Sequence, residues 1–147
     1  MHWLIEQVGE HAGQPAPWSA AQRAQAARRF ALDAAQLAQA EHIASRILHG
    51  QAAWAWRASE VLQAFNEVEL IHAGQRLRID RLVRRRAGAH GPESWWILDH
   101  KSATRPERAP HLRAQLAAYR AAVQAIHPTD PVHAAFLSAD GRVVEEG

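Results

Sequence analysis

Asp99 and Lys101 stand one residue apart at the end of the apolar run Trp95-Trp96-Ile97-Leu98. If that run is a strand, alternation puts both side chains on one face, so a carboxylate and an ammonium share an edge. Asp80 closes an earlier run, Leu77-Arg78-Ile79, and a neighbouring antiparallel strand would set it beside Asp99. Two carboxylates about 4 Å apart repel strongly where water is partly excluded, and a divalent cation is the natural way to hold both ionised. Oxygen donors without thiolates favour Mg²⁺ or Mn²⁺. A lysine beside such an ion can orient a water, help its deprotonation, or offset charge growing on a phosphoryl group. The chemistry expected is phosphodiester hydrolysis. An Asp-x-Lys pair on its own also describes a solvated surface ion pair, so the surrounding elements must decide.

Composition narrows the choice. Of the 17 basic residues, Lys101 alone is lysine and the other sixteen are arginine. Arginine keeps its proton, whereas lysine is a compact charge with an adjustable pKa, so an ammonium kept at one place hints at chemistry. The 17 bases stand against 15 acids, a formal net charge of +2. With no cysteine, a disulfide scaffold, an iron-sulfur cluster, a thiolate zinc site and a cysteine nucleophile are all excluded. No stretch of about 18 apolar residues and no signal-peptide pattern is present, so no membrane partner is expected and the default compartment is the cytosol, a cytoplasmic protein. The 147 residues are expected to form a single domain, 1–147.

The elements that must position these groups follow from periodicity. His2 to about Gly9 reads as the end of a helix already under way, and Gly13 to Pro17 as a loop. Ser19 caps a second helix, and Asp33 a third running to about His49, where Gly50 ends it. From about Leu62 the period changes, giving two antiparallel strands joined at Ala73-Gly74. A loop from Ala87 to Glu93 leads into the apolar strand that ends in Asp99 to Ser102. A helix from about His111 to Ile126 and a last strand, Val132 to Leu137, complete an α/β order.

The segments Arg78-Ile79-Asp80-Arg81-Leu82, Trp96-Ile97-Leu98-Asp99-His100-Lys101-Ser102 and Gln115-Leu116-Ala117-Ala118-Tyr119 follow one another in this order. They resemble the RecB/AddA-type nuclease domain of the PD-(D/E)XK superfamily, in which a G-x-x-D strand, a D-[YH]-K-[ST] strand and a Q-x-x-x-Y helix succeed each other. Leu77 departs from that pattern, standing where the family has glycine. Met1-His2-Trp3-Leu4-Ile5-Glu6 is similar to the family's G-x-x-x-H helix without its glycine. The resemblance implies a restriction-endonuclease-like fold: a mixed central β-sheet of about four or five strands flanked by helices. It implies His2, Asp80 and Asp99 as metal ligands, with the His100 carbonyl as a further one, and Lys101 as the group that positions and activates water. The His100 side chain itself is expected on the opposite face, by alternation along the strand. Glu67 matches the acidic residue before the G-x-x-D strand and is expected to support the site.

Gln115 and Tyr119, four apart on one helix, share a face from which they can touch a phosphate, orient Lys101, or simply pack. The resemblance favours the first two roles. Ser102, Arg105 and Arg108, after Lys101, are expected at the DNA backbone, and Arg78, Arg81, Arg84, Arg85 and Arg86 form a second basic cluster flanking the site. Trp3, Trp54, Trp56 and one of Trp95 or Trp96 are expected in the core. The remaining histidines show no zinc spacing.

The family reading is a metal-dependent deoxyribonuclease, an exonuclease or single-strand endonuclease, serving double-strand-break processing and recombinational repair. Its expected partners are DNA and a helicase, either in cis, with this chain the carboxy-terminal part of a larger UvrD-like helicase-nuclease, or in trans as a helicase-nuclease subunit. The alternatives are a catalytically silent nuclease-like module that binds DNA or a helicase partner, and a plain α/β interaction domain.

Overall fold

The computed structural model describes residues 1–8 and 18–146, so the loop expected from Gly13 to Pro17 lies outside the described residues. Helices α1 (His2–Glu6), α2 (Ala20–Arg29) and α3 (Ala34–His49) come first, followed by a short 3-10 turn, Ala53–Trp56. Strands β1 (Val61–His72), β2 (Gln75–Arg85) and β3 (Ser94–His100) come next, then helix α4 (Pro110–Ile126) and strands β4 (Val132–Leu137) and β5 (Val143–Glu146). The five strands lie in the order β1-β2-β3-β4-β5. Only β3 and β4 pair in parallel, because α4 carries the chain across between them. The result is the expected mixed sheet flanked by helices.

Local sequence explains the element ends. Ser19 and Asp33 each accept the N–H of the third helical residue, and Gln22 and Gln36 bond back, so α2 and α3 both begin in a complete capping box. Ala73 and Gly74 take φ values of 49° and 75°, the left-handed pair that turns a tight hairpin with the twist of its strands. Gly50 ends α3 as expected, though not as a left-handed cap. Its φ is −87°, and a methyl group there would collide with the Gly141 carbonyl oxygen, so what matters is close approach of two backbones.

Val132 to Leu137 forms a strand with the expected bounds, but it is not the last one, because β5 follows it. The Asp140-Gly141 turn joins β4 to this four-residue edge strand, whose Glu145 and Glu146 hide any hydrophobic alternation.

Each face of the sheet has its own core. Leu4 and Ile5 of α1, Ile47 and Leu48 of α3, and Trp56 pack on Val83, Leu98 and Leu137. On the other face Leu116, Tyr119 and Val123 of α4 cover Ile79, Leu82, Ile97 and Phe136. Leu77, at the family's glycine position, is buried in this second core. Trp3, Trp54, Trp56 and Trp95 are all buried, as expected. Ile79 and Leu82 are three residues apart yet share the core beneath α4, so simple alternation breaks between them, at Asp80-Arg81. Opposite this break, Glu67 of β1 has a left-handed backbone, φ 51°.

Candidate active site

The site forms where β2 and β3 stop pairing. Their paired register ends at Arg81 opposite Leu98, one step before Asp80 and Asp99 would face each other. Beyond that point Asp80 Oδ2 accepts the backbone N–H of His100 at 2.9 Å, a side chain replacing a ladder partner. On the other side β3 stays anchored, since the Lys101 N–H donates to the Leu137 carbonyl at 2.9 Å. Asp99 and Lys101 are therefore held by β4 while the β2 side opens.

Asp99 is 3 % exposed, and Lys101 Nζ lies 3.0 Å from its Oδ2. Burial and then a hydrogen bond to the Asp80 carboxyl push the Asp99 pKa up to about 7, against the pull of Lys101. The Asp99 carboxyl thus faces a second carboxyl as well as one ammonium, an imbalance of the kind a dication relieves.

His2, on α1, reaches the same opening. Its Nε2 donates to the His100 carbonyl oxygen at 2.7 Å and sits 3.8 Å from Asp80 Oδ2. A proton therefore occupies the nitrogen that a cation would need, between two oxygen donors. The His100 ring lies on the face opposite Asp99, as expected, yet it still belongs to the opening. α1 brings His2 to that side too, and the ligand atoms of His2, Asp80 and the His100 side chain all fall within 4.8 Å of one another. The ring is 1 % exposed and neither of its nitrogens is hydrogen-bonded among the described residues. Burial pushes its pKa down to about 3, keeping it neutral, the state in which imidazole binds metals. Carboxylates, imidazole and a carbonyl form an oxygen and nitrogen donor set that fits Mg²⁺ or Mn²⁺.

Glu67 joins this centre only through its neighbours. It pairs with Arg78 and hydrogen-bonds the carboxyl of Glu6, whose pKa burial and Glu67 together push up to about 7. Glu6 was not expected here. The signal was present, since it follows His2 by four residues and so shares its face of α1.

Tyr119 of α4 is 5 % exposed, and burial, with Asp99 and Asp80 nearby, pushes its hydroxyl up to about 12. It both packs in the core and neighbours the carboxylates. Gln115, one turn earlier, is exposed, and its side chain makes no hydrogen bond among the described residues. Ser102, Arg105 and Arg108 are exposed on the segment after β3.

The basic cluster on β2 is mostly structural, which corrects its reading as a phosphate-binding flank. Arg81 is 2 % exposed, donates to Asn66 Oδ1 and the Ala55 carbonyl at 2.8 Å each, and lies over the Trp56 ring. Arg84 pairs with Glu93, and Arg85 with Glu60 while covering Trp54. Arg84 and Arg85 face Trp95 and Ser94, at the end of β3 away from Asp99.

Among the described residues no helix is long and apolar enough to cross a membrane. No curated protein matches the chain closely enough to stand as a relative. Compared with known protein families, however, residues 1–146 match the PD-(D/E)XK nuclease superfamily, a span that takes in every element of the sheet and both cores. The chain belongs to the PD-(D/E)XK nuclease superfamily.

Proposed function

We propose that this domain is a Mg²⁺- or Mn²⁺-dependent deoxyribonuclease in which His2, Asp80, Asp99 and the His100 carbonyl hold the metal. The observation that carries the reading is the buried Asp99 carboxyl, shared between Asp80 and the Lys101 ammonium, with His2 Nε2 2.7 Å from the His100 carbonyl at the same opening. The chemistry a divalent cation would supply there is Lewis acidity toward a phosphoryl oxygen and a lowered pKa for a nearby water. Lys101 orients the attacking water and offsets the charge that develops on the phosphate. Asp80, by accepting the His100 N–H, fixes the backbone from which the carbonyl points. Tyr119 and Gln115 steady Lys101 or the substrate, and Glu67 supports the acidic edge through Glu6 and Arg78. Ser102, Arg105 and Arg108 contact the DNA backbone, where exposed cations add affinity that falls with salt.

The order of the three motif segments supports a RecB/AddA-type role: exonuclease or single-strand endonuclease action on strands supplied by a helicase, in cis or in trans, during double-strand-break processing and recombinational repair.

The test is release of nucleotides from labelled single- and double-stranded DNA with Mg²⁺ or Mn²⁺, with Asp99→Ala and Lys101→Ala as controls. Turnover lost in both variants supports the reading. Salt-sensitive binding without turnover in the unaltered protein replaces it with a silent DNA-binding module, and the absence of both overturns it.

A further inference from the structure

Beside the acidic opening lies a cavity of about 430 Å³, within the roughly 300–1,000 Å³ range of small-ligand pockets. Trp3, Phe30, Leu32 and Ala40 wall it, and His2 and Lys101 line the side that borders the metal-ligand cluster. The cavity is thus apolar on one flank and continuous with the candidate site on the other. A shallower depression along α3 shares Ala40 and Ser102 with it and extends the same path across the surface.

Phe30 gives the cavity its character. It follows α2, is 49 % exposed, meets Trp3 edge-on at 6.4 Å, and has the Arg29 guanidinium 5.7 Å from its ring. Leu62, Phe65, Ile71 and Ile126 are also large and exposed, but Phe30 is the one that lines the cavity next to Lys101. An occupant must have a flat or apolar body to meet Phe30 and Trp3. It must also be joined to whatever anion His2 and Lys101 approach, because those two residues border both spaces. A nucleobase attached to its own phosphate meets both conditions.

We propose that this cavity receives an unpaired base of the nucleotide adjoining the scissile phosphate, stacked on Phe30, so that the strand must be single or locally opened there. The proposal rests on the nuclease reading and adds to it a positioning residue and a substrate class. In a duplex the faces of that base are covered by its neighbours, so seating it requires unstacking, which is least costly in single strands.

The experiment scans a single-stranded oligonucleotide by replacing one base at a time with an abasic site. In the unaltered protein one abasic position beside the cleaved bond is expected to raise KM about tenfold. Phe30→Ala should show that loss on the intact strand and no further loss on the abasic one. Phe30→Trp should restore the discrimination, and Ala40→Trp, which fills the cavity from another lining position, should abolish it. Circular dichroism checks that each variant is folded. A flat abasic scan, or a Phe30→Ala protein that still discriminates, overturns the pocket. If no strand is cleaved at all, the nuclease reading fails on its own, and the pocket is read by binding a 2-aminopurine strand. A change in 2-aminopurine emission that depends on Phe30 supports the proposal, and its absence overturns it.

Discussion

Asp80 Oδ2 accepts the backbone N–H of His100 across the point where β2 and β3 part, at 2.9 Å. One carboxylate therefore serves two purposes: it replaces a strand-ladder bond, and it presents negative charge to the opening. The two separate by substitution. Asp80→Asn keeps an oxygen acceptor without the charge, so it should melt within a few degrees of the unaltered protein while losing about 100-fold or more in kcat. Asp80→Ala should lose a further 1 kcal/mol or so of stability, since the His100 N–H is left without its partner. Thermal melting and DNA cleavage on both variants check this.

Lys101 lies 3.0 Å from Asp99 and is the only ammonium side chain in the sequence. Lys101→Gln should cost about 10²- to 10³-fold in turnover, the scale seen when one preorganised charge partner is removed from a transition state. Lys101→Arg should rescue little, because a planar guanidinium cannot take the place of a compact ammonium. Mn²⁺ affinity, read by electron paramagnetic resonance, should not fall in Lys101→Gln, since a positive charge has been taken away. A fall would assign Lys101 to holding the site together.

The raised pKa of Asp99, about 7, has a definite sign in stability. The folded carboxyl binds its proton more tightly than the unfolded one, so the folded state loses ground as pH rises from about 4 to about 7. Asp99→Asn removes that dependence. In metal-free buffer the Tm of Asp99→Asn relative to the unaltered protein should therefore rise by about 5 °C or more between pH 5 and pH 8. Mn²⁺ should restore the unaltered protein at pH 8 and leave the variant nearly unchanged. A Tm difference that is flat with pH would remove the electrostatic account.

Arg81 is buried beside Asp80, bonded to Asn66 and the Ala55 carbonyl and lying over Trp56. Arg81→Ala should destabilise the fold by about 2–4 kcal/mol through lost charged hydrogen bonds and ring contact. Urea unfolding measures the change. If instead the variant keeps its stability and loses only the salt dependence of DNA binding, Arg81 is a phosphate contact after all.

Most of the fold could be read from the chain because local signals agreed with the whole: capping residues at Ser19 and Asp33, a left-handed pair at Ala73-Gly74, and an apolar run at β3. The site was legible where chemistry and spacing coincided, at Asp99 and Lys101. It was less so where it depends on a change in pleat. Alternation along an ideal strand gives no warning that Ile79 and Leu82 share a core, nor that the His100 ring meets His2 above the sheet. The arginines of β2 misled for a related reason: type and clustering suggest phosphate, whereas only packing reveals that Trp54, Trp56 and Trp95 occupy them.

The bond from the Lys101 amide to the Leu137 carbonyl carries a consequence for biosynthesis. Leu137 belongs to β4, which follows the whole of α4, so a chain emerging from the ribosome has no partner for that amide until α4 has been made and has folded back. A nascent polypeptide short of β4 thus carries every motif residue while the backbone beneath Lys101 still lacks the strand that anchors it.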